Sequence, residues 1–330
     1  MPMTLAEMKV GMSDKVAQQV VDIFTRESEI LQVLPFDNCV SPQGGSTLTY
    51  SYMQKKLPST AAFRALNTEY TASQATLEKK SADLKIFGGK FSMDRVLKQA
   101  EGPWNNMAYQ MREKILSAIS LFHYTLINGD ATTRGDEFDG LDKMLAGTAT
   151  EFGAGTSIDI STMAKLKENA DALYEQLQNL IKKTRADALL MNGTMISKIQ
   201  TMARILGYKT ESEEAFGRKV TSMDGIRFMD LGEHYTVDGS NVTANSCVKA
   251  GQTRNIASAS VTGLTDIYAV MFDVNDGFHA ASLTGNAAIH QYLPDFNAPG
   301  AVKDGEVEMV AATVLKNTAH AGVLRNIKIA

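Results

Sequence analysis

Two cysteines, Cys39 and Cys247, in 330 residues are too few for a disulfide framework, so a reducing cytoplasm is the simplest setting. No apolar run approaches the roughly 18 residues that cross a bilayer. The opening MPMTLAEMKVGMSDK lacks the basic and then apolar stretch of a secretion signal. A net charge of −4 leaves no overall basic footprint for nucleic acid. Signatures of chemistry are equally scarce. There is no G-x-S-x-G and no Walker A sequence, and GAGTSI at Gly153 lacks the final glycine of a dinucleotide loop and follows no clear strand. The five histidines, His123, His234, His279, His290 and His320, show no metal-ligand spacing, and Cys39 has no sequence-local histidine to activate it. The expectation is a protein that is not an enzyme, with no catalytic residue, no cofactor and no metal.

What is present is ordinary for a globular chain: 44% hydrophobic and 21% charged residues, long enough for two domains. Seventeen methionines fit helical core filling better than a Met-lined groove. Thr4 and Glu7 have capping-box spacing, and Val16, Ala17, Val20, Val21, Phe24, Ile30 and Leu31 predict a helix from Ser13 to Leu34 that Pro35 ends. Ser41-Pro42-Gln43-Gly44-Gly45 is a joint. Pro103 suits the first turn of a long helix whose stripe runs from Trp104 through Met107, Met111, Ile115, Ile119 and Phe122 to Leu126 and closes at Asn128-Gly129. His123 follows that stripe as a packed or capping residue. A second long helix starts near Ser161 or Thr162, with Met163, Leu166, Ala170, Leu173, Tyr174, Leu177, Leu180 and Ile181 on its buried face. ADALLM reads as a buried strand, and Asn192-Gly193 leads into a short helix stopped by Gly207. KVTSM, IRFMDL, DIYAVMF, FHAASL, EVEMVAATVLKN and VLRNIKI read as strands, which makes the class α+β.

Two stretches resist an ordinary reading. In TLTYSYM, Leu48, Tyr50 and Tyr52 alternate with polar residues, and SADLKIF alternates in the same way. Between them Gln54 to Lys80 is mixed, mostly polar and expected to be irregular, which is long for a compact domain. A lone two-stranded ribbon is marginal in water, so this arm should lie on its own domain or on another subunit. The second stretch, LINGDATTRGDEFDGLDKML, holds Asp130, Asp136, Glu137, Asp139 and Asp142. An EF-hand register from Asp130 puts Arg134 at a ligand position and Leu141 where a bidentate glutamate is required, and a register from Asp136 puts Phe138 at position 3. A looser Ca²⁺ site and a solvated acidic turn remain the alternatives.

The order of these parts resembles the major capsid proteins of tailed bacteriophages, the HK97-like fold. AAFRALNTEY is similar to that family's extended-loop tip, KIFGGKFSMDRVL to the strand returning from it, and LINGDATTRGDEFDGL to the loop after the spine helix. ADALLMNG and VTSMDGIRFMDL resemble the axial domain, and TDIYAVMFDVNDGFHAASL and VLRNIKI its late strands. INGD…FDGL is the most specific piece. The resemblance covers nearly the whole chain.

It implies an N-terminal arm over 1–45, an extended β-hairpin loop over 46–93, a peripheral domain with the spine helix over 94–160, an axial domain over 161–300, and C-terminal strands over 301–330. The implied function is a major capsid protein that assembles into hexamers and pentamers, forming an icosahedral shell around double-stranded DNA. The partners would be copies of itself, a separate scaffolding protein, a portal, decoration proteins, and DNA by non-specific proximity only, with no membrane. The location would be the virion capsid, assembled in the host cytoplasm. Phe63, Arg64, Glu69 and Tyr70 of the loop tip, and Arg134, Asp136 and Glu137 of the acidic loop, are the implied inter-subunit contacts. About 45 residues precede the first loop strand, so a fused scaffold is not expected, and Lys55 and Lys56 have no identifiable asparagine partner for an isopeptide bond. The other readings are an encapsulin-type nanocompartment that holds a cargo enzyme and could carry a flavin, and a cytoplasmic enzyme with an oligomerisation arm.

Overall fold

The fold is described from a computed structural model for residues 28–39, 47–96, 106–207, 211–215, 218–223, 225–285 and 289–330. The Thr4–Glu7 box, the part of the first helix before Ser28, the joint at Ser41–Gly45 and the helix start at Pro103-Trp104 lie outside these residues.

Chain order sets two helix-and-sheet layers around a shared middle. The first helix, α1 (Glu29–Val33), starts afresh at Ser28, whose extended backbone and side-chain oxygen, accepting from the Leu31 N–H at 3.2 Å, make it an N-cap. The expected helix from Ser13 therefore does not run unbroken to Leu34. Its end at Leu34-Pro35 is where expected, with Leu34 extended before the proline. Then come β1 (Phe36–Asn38), β2 (Thr49–Leu57), β3 (Thr76–Asp83) and β4 (Lys85–Asp94), followed by the long α2 (Asn106–Asn128) and the short α3 (Leu141–Leu145). The next stretch holds β5 (Glu151–Phe152), β6 (Ile158–Asp159), α4 (Met163–Thr184), β7 (Ala188–Leu190) and α5 (Gly193–Leu206). Six strands follow: β8 (Glu211–Ala215), β9 (Arg218–Met223), β10 (Ile226–Met229), β11 (Glu233–Asp238), β12 (Asn241–Ser246) and β13 (Gln252–Ile256). The chain ends with β14 (Ala259–Val270), β15 (Phe278–Ser282), β16 (His290–Tyr292), β17 (Val302–Leu315) and β18 (Ala321–Lys328). This is the expected α+β class.

The first sheet joins β1, β15, β17, β16 and β4, with β4 antiparallel to β17 from Lys85↔Ala311 to Asp94↔Val302. On its inner face lies α2. Met111, Ile115, Ala118, Ile119, Phe122 and Leu126 recur at helical spacing and are all buried, and Phe122 stacks on Phe87 of β4 at 5.7 Å. The second sheet runs β5-β18-β14-β7-β10-β9-β8, with β13 added beside β14 and β6 beside β18. Its central strands are buried on both faces, and the strand period of two divides them cleanly. Leu189, Phe228, Ile267, Ala269 and Leu324 join the core under α4 and α5. Ala188, Leu190, Met229, Tyr268, Val270 and Val323 join the core under α2.

The helix ends follow the sequence signals. Thr162 caps α4 through the Lys165 N–H at 3.2 Å, Asn192 caps α5 through the Met195 N–H at 2.9 Å, and Gly207 ends α5 in the left-handed region with φ 78°. Met163, expected on the buried face of α4, is exposed at the first residue of the helix, and the buried face begins at Leu166.

Two other expectations change. Gln54–Lys80 is not irregular throughout: β2 and β3 pair from Thr49↔Asp83 out to Leu57↔Thr76, leaving 58–75 as the tip. SADLKIF is not one strand, because Leu84 plunges into the core and the chain changes partner there, from β2 to β17.

His123 joins three elements. Its Nδ1–H donates to the Leu231 carbonyl at 3.0 Å, and its Nε2 accepts from the Ser28 hydroxyl at 2.7 Å, so the ring is neutral in the fold. Burial pushes its pKa down to about 4, against the pull of the Leu231 carbonyl. In the unfolded chain an imidazole titrates near about 6.5 and takes up its proton first. Stability is therefore complete above about pH 6.5 and is lost as pH falls toward 4, on the order of 3 kcal/mol from this residue. Urea unfolding between pH 7 and 4 should show that slope, and His123→Gln, neutral throughout, should remove its share and leave the part due to His279, whose pKa is likewise lowered to about 4 by burial.

Candidate inter-subunit surfaces

The β2–β3 arm is held at its base. Tyr50 is buried, its hydroxyl donates to the Asp37 carboxylate, and Lys316 Nζ lies 3.8 Å from that carboxylate and 5.4 Å from the Tyr50 ring centre. His279 meets Tyr50 edge-on at 5.7 Å. Burial raises the Asp37 carboxyl, but the Tyr50 hydroxyl, the Asn38 N–H and Lys316 outweigh it and leave its pKa low. Burial and the nearby Lys316 push the His279 ring down to about 4. Further out, the Gln54 side chain donates to the Lys316 carbonyl at 3.1 Å. A cleft of about 390 Å³ runs under the arm, lined by Tyr52, Lys80 and Lys85 on one side and Phe138, Asp139 and Thr313 on the other.

The tip is ordered by itself. Ala65 to Thr68 forms a turn with Asn67 at φ 65°, the position where a type II turn needs a left-handed residue. The Thr68 hydroxyl donates to the Ala65 carbonyl at 2.8 Å, Arg64 Nη1 donates to the Thr68 carbonyl at 3.2 Å, and the guanidinium sits 5.4 Å over the Tyr70 ring. The Thr60 N–H and Ser73 hydroxyl, 2.9 Å apart, close the neck. Yet Phe63 is 106%, Leu66 87% and Tyr70 64% exposed, and Glu69 is exposed beside them. Water-facing aromatic and aliphatic side chains on a pre-ordered loop are the composition of a docking surface.

The acidic stretch is an internal ionic net. Lys143 Nζ bonds Asp130 at 2.5 Å and Asp139 at 2.7 Å. Hydrogen bonds from Lys143, Thr133 and the Thr132 N–H hold the Asp130 carboxyl well below the usual range. Arg134 pairs with Glu137 at 2.7 Å. Asp142 bonds Arg325 at 2.5 Å and the Tyr268 hydroxyl at 2.9 Å. Asp136 alone of the five has no hydrogen bond or ion pair among the described residues.

Phe138 anchors the stretch in the core, 5.9 Å from Phe122. The two glycines of INGD…FDGL are needed for close approach: a Cβ on Gly129 would meet the Phe138 carbonyl oxygen at 2.2 Å, and one on Gly140 the Ile127 oxygen at 2.5 Å.

Behind this loop is a buried ionic junction that no sequence motif signals. Asp266, 1% exposed, takes both Arg254 guanidinium nitrogens at 2.7 and 2.6 Å and the Asn326 N–H at 3.0 Å. Arg325 reaches Asp142, Glu151 and, at 3.6 Å, Asp266. Burial alone would lower the Arg325 pKa; Asp142 and its other acidic neighbours raise it instead.

The expected contact residues thus form two separate groups. Phe63, Arg64, Glu69 and Tyr70 share the arm tip, while Arg134, Asp136 and Glu137 lie at the arm's other end, where Lys85 Nζ bonds the Gly135 carbonyl at 2.7 Å. The cysteines are buried and free, and burial pushes the Cys247 thiol up to about 12. Among the described residues no three His, Cys, Asp or Glu side chains are grouped to hold a metal ion, and no described helix is long and apolar enough to cross a membrane.

No family model and no curated protein matches the sequence. Solved structures do share its fold. An encapsulin chain from the holo-SrpI complex of Synechococcus elongatus PCC 7942 is 13% identical, with a TM-score of 0.58 over 91% of this chain and 87% of its own. A chain of Mycobacterium phage Ogopogo is 13% identical, with a TM-score of 0.55 over 91% and 92%. The capsid chain of a native GTA particle is 12% identical, with a TM-score of 0.54 over 90% and 89%. The chain has the HK97-like fold of capsid and encapsulin shells, as its order of elements implied.

Asp130, Glu137, Asp139 and Asp142 of the acidic stretch already have cations of the chain as partners. Excess chelator should therefore leave the melting temperature unchanged, since an ion bound only to the folded state would add RT ln(1 + [L]/Kd). A drop of several degrees that Ca²⁺ restores would revive a metal site.

Proposed function

We propose that this chain is the major capsid protein of a tailed phage. It would assemble through hexamers and pentamers into an icosahedral shell around double-stranded DNA. The observation that carries this is the arm tip: a pre-ordered apolar loop, held away from the body on a paired ribbon, with no partner outside the arm among the described residues. A subunit that reaches across to its neighbours spreads each contact over several copies, so many modest contacts sum to a stable wall. Non-self-complementary contacts close into rings. The role is structural rather than catalytic, with the peripheral region centred on α2 and the first sheet and the axial region on α4, α5 and the second sheet. The working location is the virion capsid, assembled in the host cytoplasm. A net charge of −4 suits a wall that encloses DNA without condensing it.

The second reading is an encapsulin-type compartment around a cargo enzyme, favoured by the similarity to the SrpI encapsulin chain. Purified particles separate the two by content, DNA or protein.

The arm serves assembly rather than folding in this reading. Replacing residues 58–75 by a short Gly/Ser turn should leave circular dichroism and solubility near native and abolish closed shells in electron micrographs. An unfolded variant, or normal shells, refutes that role.

Shell size is set by a separate scaffolding protein. A subunit that serves both five- and six-fold rings must accept more than one angle to its neighbours, and an internal partner shifts that population only by its differential affinity. Expressed alone, the chain should give capsomers, tubes or shells of mixed diameter, and the scaffold should narrow the distribution. Uniform shells from the chain alone refute the need for a scaffold and favour the compartment reading. Portal and decoration proteins complete the partner set.

A further inference from the structure

The β11–β12 ribbon is a second element with an uncovered apolar face. Among the described residues its strands pair only with each other, from Glu233↔Ser246 to Asp238↔Asn241, and Gly239 at φ 60° takes the first position of the two-residue turn. Its root is fixed. The Cys247 N–H donates to the Gly232 carbonyl at 3.0 Å, and the Asn128 side chain donates to the Cys247 carbonyl at 2.7 Å. One face lies on α2, where His234 meets the Ser120 hydroxyl at 3.2 Å and the Tyr124 ring at 5.7 Å. Strand alternation sends Tyr235, Val237, Val242 and Ala244 to the other face, with Val237 directly opposite Val242 and Tyr235 opposite Ala244. Val237 is 68%, Val242 64% and Tyr235 56% exposed. A ribbon of two strands is marginal on its own, and three large apolar side chains facing water make it more so.

We propose that this outer face is the surface on which a neighbouring copy seats the tip of its β2–β3 arm. The inference rests on the shell reading above. Two features select this occupant. The chain carries two exposed apolar surfaces that are not in contact within it, the tip with Phe63, Leu66 and Tyr70 and the ribbon with Tyr235, Val237 and Val242, so each can be covered by the other in a second copy. Their charges are also complementary. The ribbon from Glu233 to Ser246 contains Glu233 and Asp238 and no lysine or arginine, whereas the arm from Thr49 to Asp83 carries Lys55, Lys56, Arg64, Lys79 and Lys80 against three acids. Arg64, beside the tip's apolar group, would face Glu233, which strand alternation puts on the same face as Tyr235 and Val237. Such a contact joins two different patches, so it propagates head to tail and closes a ring.

Disulfide trapping tests this, because Cys39 and Cys247 are buried and leave the introduced thiols alone. Phe63→Cys and Val237→Cys chains are assembled separately and together, oxidised and run without reductant. The expected result is a strong dimer band in the mixture and none in either separate sample. The double variant should give a ladder of covalent oligomers. If Val237→Cys does not fold, Val242→Cys, directly across the ribbon, takes its place. Particles without a cross-link at either ribbon position overturn the inference and leave the shell reading intact. A Phe63–Phe63 dimer overturns it in favour of tip-to-tip contact. An intrachain disulfide in a Val20→Cys/Val237→Cys variant overturns it in favour of the chain's own N-terminal segment. Absence of any oligomer from the unmodified chain fails the shell reading itself.

Discussion

The burial of β7, β10, β14 and β18 on both faces is the constraint from which the rest of the architecture follows. A strand with water on one side can alternate polar and apolar residues, but a strand between two cores cannot. Leu189 and Ile267 need α4 and α5 above them, and Leu190 and Tyr268 need α2 and its sheet below. Neither layer can be removed without exposing one face of the shared strands. The ionic junction sits within the same sheet, where Asp266 of β14 and Arg325 of β18 tie these strands to Asp142 and Glu151. Removing one partner from such a buried pair leaves an uncompensated charge at a cost of about 3–5 kcal/mol. Packing and charge therefore hold the two layers together.

Most of this was legible where a local rule decides the outcome. The α4 stripe, the caps at Thr162 and Asn192 and the stop at Gly207 are contacts between near neighbours in sequence, and the structure has them in place. The buried run ADALLM is β7 because a strand covered on both sides has no polar face to show. Resemblance supplied the fold itself, since no single residue pattern specifies the order of these elements.

The rest depended on partners distant in sequence. Nothing near Tyr50 in the chain announces that Lys316 and His279 surround it. No motif marks Arg254 or Arg325, which the fold brings to Asp266. The acidic stretch raised the question of a metal because its carboxylates are close in sequence, while Arg325, one of the cations that pair with them, is 183 residues away from Asp142. The β11–β12 ribbon did carry a local signal, the alternation in EHYTV and NVTAN around Asp238-Gly239, and it was readable as a hairpin from the turn alone.

Among the described residues the arm meets the body around Tyr50, Asp37 and Lys316 and, further out, through Gln54, and the tip begins beyond the nine residues of β2. That geometry is a lever. At about 3.4 Å per residue the strands extend roughly 30 Å, so a tilt of about 10° at the base carries the tip about 5 Å sideways. The two cores move not at all in such a tilt, because none of their buried side chains lies beyond Tyr52 in β2 or before Ala82 in β3. Angular play of the tip is thus confined to a few contacts at one joint. A stiff body can then carry its tip to several positions without repacking its interior.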